Sequence, residues 1–240
     1  MKLLFSFTAL VLIAISQTGC DGERVKGSGQ MSSETRQLGE YHSISLRGDM
    51  DVEFTSGPQE DAVIEAEDNI LPYIETEIKG SQLIVRMKPG THISTHRDIK
   101  VKLTAPDIEE LSLSGSGNIL GTNEWEHNSA VRLSLSGSGN ITLGGVNAPG
   151  VKVSIAGSGD IRAKGETRDL DIAIAGSGNF DGYNLHTENA AVNIAGSGDA
   201  NVHASVNLDV KVGGSGDVSY RGTPQITSHI AGSGSVRKQD

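Results

Sequence analysis

One cysteine stands in the 240-residue chain, at position 20, so no disulfide can form within it. Aromatic residues make up 4% of the sequence, with a single Trp, so a core has to be built from Val, Ile, Leu and Ala. That composition favours thin, regular cross-sections over a thick globular centre. Positive charge is in short supply as well. The formal net charge of −10 repels nucleic acid and anionic lipid head groups, which excludes nucleic-acid binding as a function class. No apolar run reaches the roughly 20 residues of a bilayer span, and no stretch repeats at helical spacing.

Glycine, by contrast, is abundant: 31 residues, against a usual share of roughly 7%. Much of it falls in one string. "LSLSGSGNITL" at 133–143 has close variants along the chain, whose paired glycines are Gly115 and Gly117, Gly137 and Gly139, Gly157 and Gly159, Gly176 and Gly178, Gly196 and Gly198, Gly214 and Gly216, and Gly232 and Gly234. Successive first glycines lie 22, 20, 19, 20, 18 and 18 residues apart. An outlying copy starts at Gly27. "ISLRGDMDVEF" has the same outline around Gly48, with Asp51-Val52 where "NI" stands in "GSGNI".

Two residues before each first glycine the side chain is aliphatic, from Leu113 to Ile230. Four before it is aliphatic too, with Ser228 the sole exception, and four after it runs from Ile119 to Val236. The serine of GSG and the following Asn, Asp or Ser235 fall on odd offsets. Alternation with period two is a strand signature. A unit of about 20 residues cannot bury its apolar side alone, whereas a stack of such units can. The pattern predicts an all-β fold: a β-solenoid, a right-handed single-stranded parallel β-helix with coils of about 18–22 residues. Both glycines sit at inward offsets, so GSG[ND] reads as a structural corner, with Asn or Asp tolerating left-handed backbone beside an outward serine ladder.

Chemical readings of the same residues fare worse. A dinucleotide loop must open a helix, yet β-forming residues follow every copy. Calcium-binding rolls use a nine-residue period, half the spacing seen here. Asp199 and Asp217 occupy equivalent places in adjacent coils and could form a carboxylate pair of a carbohydrate-active β-helix, the alternative to a scaffold. Asn179 and Ser235 at the same offset favour a solvated ladder. The seven histidines show no ligand spacing. His92 and His96 in "HISTH" are the best metal candidates and are read as a loop, so no metal and no cofactor are expected. Arg47-Gly48-Asp49 looks like an integrin-binding tripeptide and is treated as coincidental.

At the N-terminus, an early Lys2, an apolar run from Leu3 to Ile15 and small or polar residues up to Cys20 predict a signal peptide over 1–19. "QTGC" resembles the lipobox of bacterial lipoproteins. Thr18, Gly19 and Cys20 fit it; Gln17 departs. Cys20 is thus the expected lipidation site and the membrane, through acyl chains, the expected partner. Residues 20–39 are expected as a tether and 40–240 as the β-helical domain. Within that domain, 53–110 reads as less regular early coils with longer loops, with a separate small β-sandwich packed on the first coil as the alternative, and 111–240 as regular repeats. The charged end "SVRKQD" is read as a cap.

"VKGSG", "SISLRGDMDVEF", "NILPYIETEIKGSQLIVRM" and the serial "LSLSGSGNI", "IAGSGDI" and "IAGSGNF" together resemble the putative auto-transporter adhesin, head GIN domain family of bacterial envelope proteins. The likeness covers about residues 40–240 and implies a β-helical envelope domain without catalytic residues. The resulting expectation is a non-enzymatic lipoprotein of the bacterial cell envelope whose repetitive surface serves adhesion or scaffolding towards envelope glycans or surface proteins. The outer membrane is the expected location, with the periplasmic face of the inner membrane as the alternative, since Asp21 after Cys20 resembles an inner-membrane retention signal.

Overall fold

The computed structural model describes residues 23–239. Its first part carries β1 (Glu23–Lys26), β2 (Met31–Arg36), β3 (Ser43–Gly48), β4 (Asp51–Ser56), β5 (Ala62–Glu67), β6 (Ile74–Lys79), β7 (Gln82–Met87), β8 (Thr91–Ser94) and β9 (Lys100–Ala105). Its second part carries β10 (Glu110–Gly115), β11 (Asn118–Glu126), β12 (Val131–Gly137), β13 (Asn140–Gly157), β14 (Asp160–Gly176), β15 (Asn179–Gly196), β16 (Ala200–Gly214), β17 (Val218–Arg221), β18 (Gln225–Gly232) and β19 (Val236–Lys238). Leu71–Tyr73 form a single 3-10 turn.

From β10 onward the strands stack in parallel as a β-solenoid of about six turns. The longest strands are bent ribbons. In β13, residues 140–142, 146–148 and 151–157 each pair with β14, and a register shift between Thr142 and Val146 marks one of the bends. Each coil thus has three faces. The first ends at a GSG corner, the second follows it, and the third leads back.

Like-on-like stacking sets the core. Leu111, Leu133, Val153, Ile172, Val192 and Val210 are buried one above another, as are Leu113, Leu135, Ile155, Ile174, Ile194 and Val212. Packing adjusts locally where a column changes size: Phe180 pairs with Ala200, and its ring lies where a side chain on Gly182 would go. The interior also tapers. Trp125 meets Phe54 edge-on at 5.6 Å near the long early coils, while Ala190, Ala200 and Ala204 fill the short late ones. A single Trp at the wide end is therefore core, 2% exposed.

The base of the stack departs from chain order. β3 pairs in parallel with β10 on one side and β7 on the other, and β4 likewise with β11 and β9. The alignment of Gly48 with Gly115 and of Asp51-Val52 with Asn118-Ile119 is the observed register. Residues 53–110, expected as early coils leading into the repeat, instead leave the first coil, build the layer beneath it, and return above it. Antiparallel strands close this end, β6 against β7, and β5 against both β9 and β2. Period-two alternation reports which face a residue occupies; it carries no information about strand direction or stacking order.

The stretch 20–39, expected as a tether, is mostly strand where it is described: β1 pairs with β8 and β2 with β5. The outlying Gly27-Ser28-Gly29 is accordingly no solenoid corner. It wraps the carboxylate of Glu67, which is 1% exposed and accepts hydrogen bonds from Gly29 N (2.6 Å) and Thr95 Oγ1 (2.6 Å). Gly27 is tight here because a Cβ would collide with that carboxylate. The Thr95 hydroxyl above all, with the Gly29 and His96 amides, holds Glu67 below the usual carboxylate range against the opposing effect of burial.

At the other end, among the described residues, β18 pairs only with β16 and β19 only with β17. The charged end of the chain, read as a cap, forms β19 and continues the ramp rather than covering it.

Candidate functional site

The GSG[ND] column runs up one edge of the solenoid. At each first glycine from Gly115 to Gly232, φ lies between +126° and +144°. This rotation aims the carbonyl at the next coil, where those of Gly115, Gly137, Gly157 and Gly176 each accept two amides and those of Gly196 and Gly214 one. The Gly137 carbonyl, for example, takes Ser158 N at 2.9 Å and Gly159 N at 3.1 Å. A side chain is excluded twice over: the backbone conformation disfavours it, and its Cβ would collide with the corresponding carbonyl of the coil below. At the second glycine the obstacle is again that neighbouring backbone, joined by an inward side chain such as Leu135 beneath Gly159.

No described residue other than glycine has positive φ, so Asn and Asp are not at the corner for left-handed tolerance. They form a ladder. Asn118 Nδ2 donates to Asp51 Oδ1 (2.7 Å), Asn140 Nδ2 to Asn118 Oδ1 (2.9 Å) and Asn179 Nδ2 to Asp160 Oδ1 (2.9 Å). The Asp160 amide bonds the Gly139 carbonyl (3.3 Å) and leaves the ladder open above Asn140, whereas from Asp199 onward the backbone amide replaces the missing side-chain donor. Asp199 N reaches Asn179 Oδ1 (3.0 Å), Asp217 N reaches Asp199 Oδ1 (2.8 Å) and Ser235 N reaches Asp217 Oδ1 (2.8 Å). An oxygen is required at each rung and an amide is optional, which is why the two residue types interchange. The GSG serines are exposed, and their hydroxyls find no protein partner among the described residues.

A second ladder lies at the opposite end of the same face. Asn189 Nδ2 donates to Asp169 Oδ1 (3.0 Å) and Asn207 Nδ2 to Asn189 Oδ1 (2.8 Å). The buried Thr187 hydroxyl joins Arg168 O and Asn189 O. Sequence reasoning missed this ladder, although Asp169, Asn189, Asn207 and Gln225 all stand seven residues before a first glycine.

Between the two ladders, the half of the outer face next to the GSG corners is flat and small, while the column beside the second ladder carries Glu110, Arg132, Lys152, Asp171 and Asp209. Ser114, Ser136, Ala156, Ala175, Ala195, Gly213 and Ala231 stack in one outward column, with Ser112, Ser134, Ser154, Ala173 and Asn193 in the next. A shallow apolar recess of about 540 Å³ covers Ala156, Ala175, Ala195 and Gly213, bordered by Lys211 and His229. A more polar recess of about 690 Å³ follows the second ladder past Lys152, Asp171 and Asp209.

The remaining candidates fall into place around this face. Asp199 and Asp217 do adjoin, but as rungs. Ser235 donates through both its hydroxyl (2.7 Å) and its amide, and these bonds hold the Asp217 carboxyl below its ordinary range, the opposite of what a general acid needs. His92, expected in a loop, is in β8 opposite Arg24 of β1, His96 lies just beyond that strand, both are exposed, and no metal-binding group of three or more His, Cys, Asp and Glu exists among the described residues. Arg47-Gly48-Asp49 forms a corner held by β7 and β10, not a projecting loop. The structure does bring together His186 and His203, ring centroids 4.3 Å apart in adjacent coils, with Arg221 next in register and stacked 4.5 Å over Tyr183. Burial first, then His186 and Arg221, pushes the His203 imidazole down, against a hydrogen bond that the ring donates to the Tyr183 backbone. Cys20 lies outside the described residues.

The model of the putative auto-transporter adhesin, head GIN domain family matches residues 40–224. Several solved structures are similar, among them the following three. A putative adhesin from Bacteroides fragilis superposes with TM-score 0.83 at 20% identity, covering 90% of this chain and all of that one. A putative lipid-binding protein from Parabacteroides distasonis gives 0.74 at 25% identity over 91% of this chain and all of its own. A putative adhesin from the same organism gives 0.71 at 26% over 90% and all of its own. No curated protein matches the chain.

Proposed function

We propose, for a chain that belongs to the putative auto-transporter adhesin, head GIN domain family, that it is a non-enzymatic adhesion or scaffolding lipoprotein of the bacterial cell envelope, anchored through Cys20. Its working surface is the flat face between the two ladders. The observation that carries this reading is the outward column of small residues from Ser114 to Ala231, flanked from Ser112 to Asn193 by a second small column that gives way to Lys211 and His229. A flat face whose groups recur at about the 4.8 Å strand spacing suits an extended, repetitive partner such as an envelope glycan or the surface of another protein. The ladders straighten its edges, and the glycine corners let the coils approach closely enough to keep it flat.

The ladder roles of Asp199 and Asp217 argue against the carbohydrate-active alternative, since both carboxylates already serve as acceptors along the stack. A lipid-binding reading has one observation in its favour, the apolar recess over Ala156, Ala175 and Ala195, and one relative described as a putative lipid-binding protein.

The test replaces Ala156, Ala175 and Ala195 together by Lys in the full chain and compares adherence of expressing cells to envelope glycan, host glycan and protein surfaces. Loss of adherence with unchanged circular dichroism supports the adhesive face. Adherence equal to that of wild type removes it. Lipid co-purifying with wild type but not with the triple variant, without any adherence phenotype, favours lipid binding. Replacing Cys20 by Ser releases the chain from membranes if the anchor is as proposed; unchanged fractionation refutes the anchor.

A further inference from the structure

The two ends of the solenoid are finished differently. At the base, the outer strands are antiparallel and charged: β6 carries Glu75, Glu77 and Lys79, and β2 carries Glu34 and Arg36. Arg36 also donates to the carbonyls of Ile74 (2.6 Å) and Leu71 (3.1 Å), occupying acceptors that a further strand would use. Charged, side-chain-capped edges resist further pairing. At the far end, β18 reads QITSHIAG, with His229 its sole titratable residue, and among the described residues nothing pairs with its outer side.

The inward positions of β18 are set by register. Ile226, Ser228 and Ile230 stand above the buried Leu208, Val210 and Val212. They are themselves uncovered, Ile226 being 43% and Ile230 36% exposed. Ser228 is the one polar residue in its column. The resulting Ile-x-Ser-x-Ile sequence is symmetric about Ser228.

We propose that a second copy of this chain covers this end, with β18 pairing antiparallel to β18 of that copy across a two-fold axis at Ser228. The axis pairs each Ile226 with the other copy's Ile230, which continues the apolar interior, and sets the two Ser228 hydroxyls against each other, where each can donate to or accept from its mate. It thereby accounts for the single polar break in the column. Charge agrees with this arrangement. Outward, reversal of the strand sets Thr227 beside His229, and one layer further it places Asp209 of one copy in the same column as Lys211 of the other, so like charges never adjoin. The closed base excludes head-to-tail addition, so the assembly is an isologous dimer and not a fibre. The end-on contact is small, which places the dimer among weak, concentration-dependent associations.

The test uses the full chain with Cys20 replaced by Ser, so that neither an acyl chain nor the native thiol contributes. Sedimentation from micromolar to millimolar concentration should show the 25.1 kDa chain doubling in mass. Over the same range, hydrogen exchange of the β18 amides should slow at least several-fold while β6 amides do not change. Ser228→Cys, treated with a mild oxidant, should give a disulfide-linked dimer, and Thr227→Cys much less of it. A monomer at every concentration, a dimer that protects β6 instead of β18, or a ladder of higher oligomers each overturns the proposal. The exchange measurement needs no substitution within β18, so a variant that fails to fold does not obscure the answer.

Discussion

The first corner of the stack and its later copies have the same outline and differ at two residues, of which the inward one is decisive. In the regular coils the corner reads Gly-Ser-Gly; in β3–β4 it reads Gly48-Asp49-Met50, with a methionine, 1% exposed, where every later coil has its second glycine. The backbone turn is shared, since Gly48 has φ +121° and pairs with Gly115. What differs is the floor. Beneath Gly117, Gly139 and their successors lies the carbonyl of another corner, whereas a Cβ on Gly48 would meet nothing within 4 Å. Beneath Met50 the chain has left the stack for the 88–99 excursion that carries β8, and the side chain fills the space. The first glycine is a requirement of the turn, and the second a requirement of having a coil underneath.

Transplanting the methionine tests this contrast most severely. Gly139→Met sets a side chain against the Gly117 carbonyl and should cost about 3 kcal/mol or more, read as a fall in the denaturant midpoint; an unchanged midpoint breaks the comparison. The reciprocal Met50→Ala removes a filled space without straining any turn, and should cost about 2–4 kcal/mol as other buried truncations do. Solubility of both variants with nearly equal losses would mean that the floor is not what distinguishes them.

Acidification probes the base alone. Glu67 has its pKa lowered by Thr95, Gly29 and His96, so its contribution is fully present above the ordinary carboxylate range and disappears as pH falls through the depressed folded value. Amides of β1 and β2 should therefore lose exchange protection on acidification before those of β14 and β15, and Glu67→Gln should remove this difference. Simultaneous loss in both regions counts against the clamp. Smaller still, Asp199→Asn combined with Asp217→Asn keeps an oxygen at each rung and should leave stability within about 1 kcal/mol of wild type. Glycan turnover that this pair abolishes would instead revive the enzymatic reading. Least of all, Ser177→Ala at an exposed, unpartnered hydroxyl should shift stability by no more than about 0.5 kcal/mol.

The regular coils were legible because their information is local: a fixed offset from a glycine tells whether a side chain faces in or out, and parallel stacking then aligns equal offsets. Even the likeness of Asp51-Val52 to Asn118-Ile119, 67 positions apart, survived as real pairing. The base was not legible, because its contacts join unlike segments. Nothing in "VKGSGQM" announces that its glycines serve the carboxylate of Glu67 and not a corner. The His186–His203 stack escaped for a related reason. His186 stands ten residues after its first glycine and His203 seven after its own, so the turn between the second and third faces absorbs the difference and offset counting fails there.

Because β3 and β4 are sandwiched between the layer made by β7 and β9 and the coil begun by β10, all the material of the base lies N-terminal to the repeat it supports. A chain delivered N-terminus first thus completes its seed before any regular coil arrives. Each later turn then meets a finished template of its own kind and adds at a single growing front, with only short-range loop closure from the preceding turn. Nothing in the seed counts the turns. The height of the column is set by how many copies of the repeat the gene carries, and it can lengthen or shorten in evolution by whole coils while the base stays untouched.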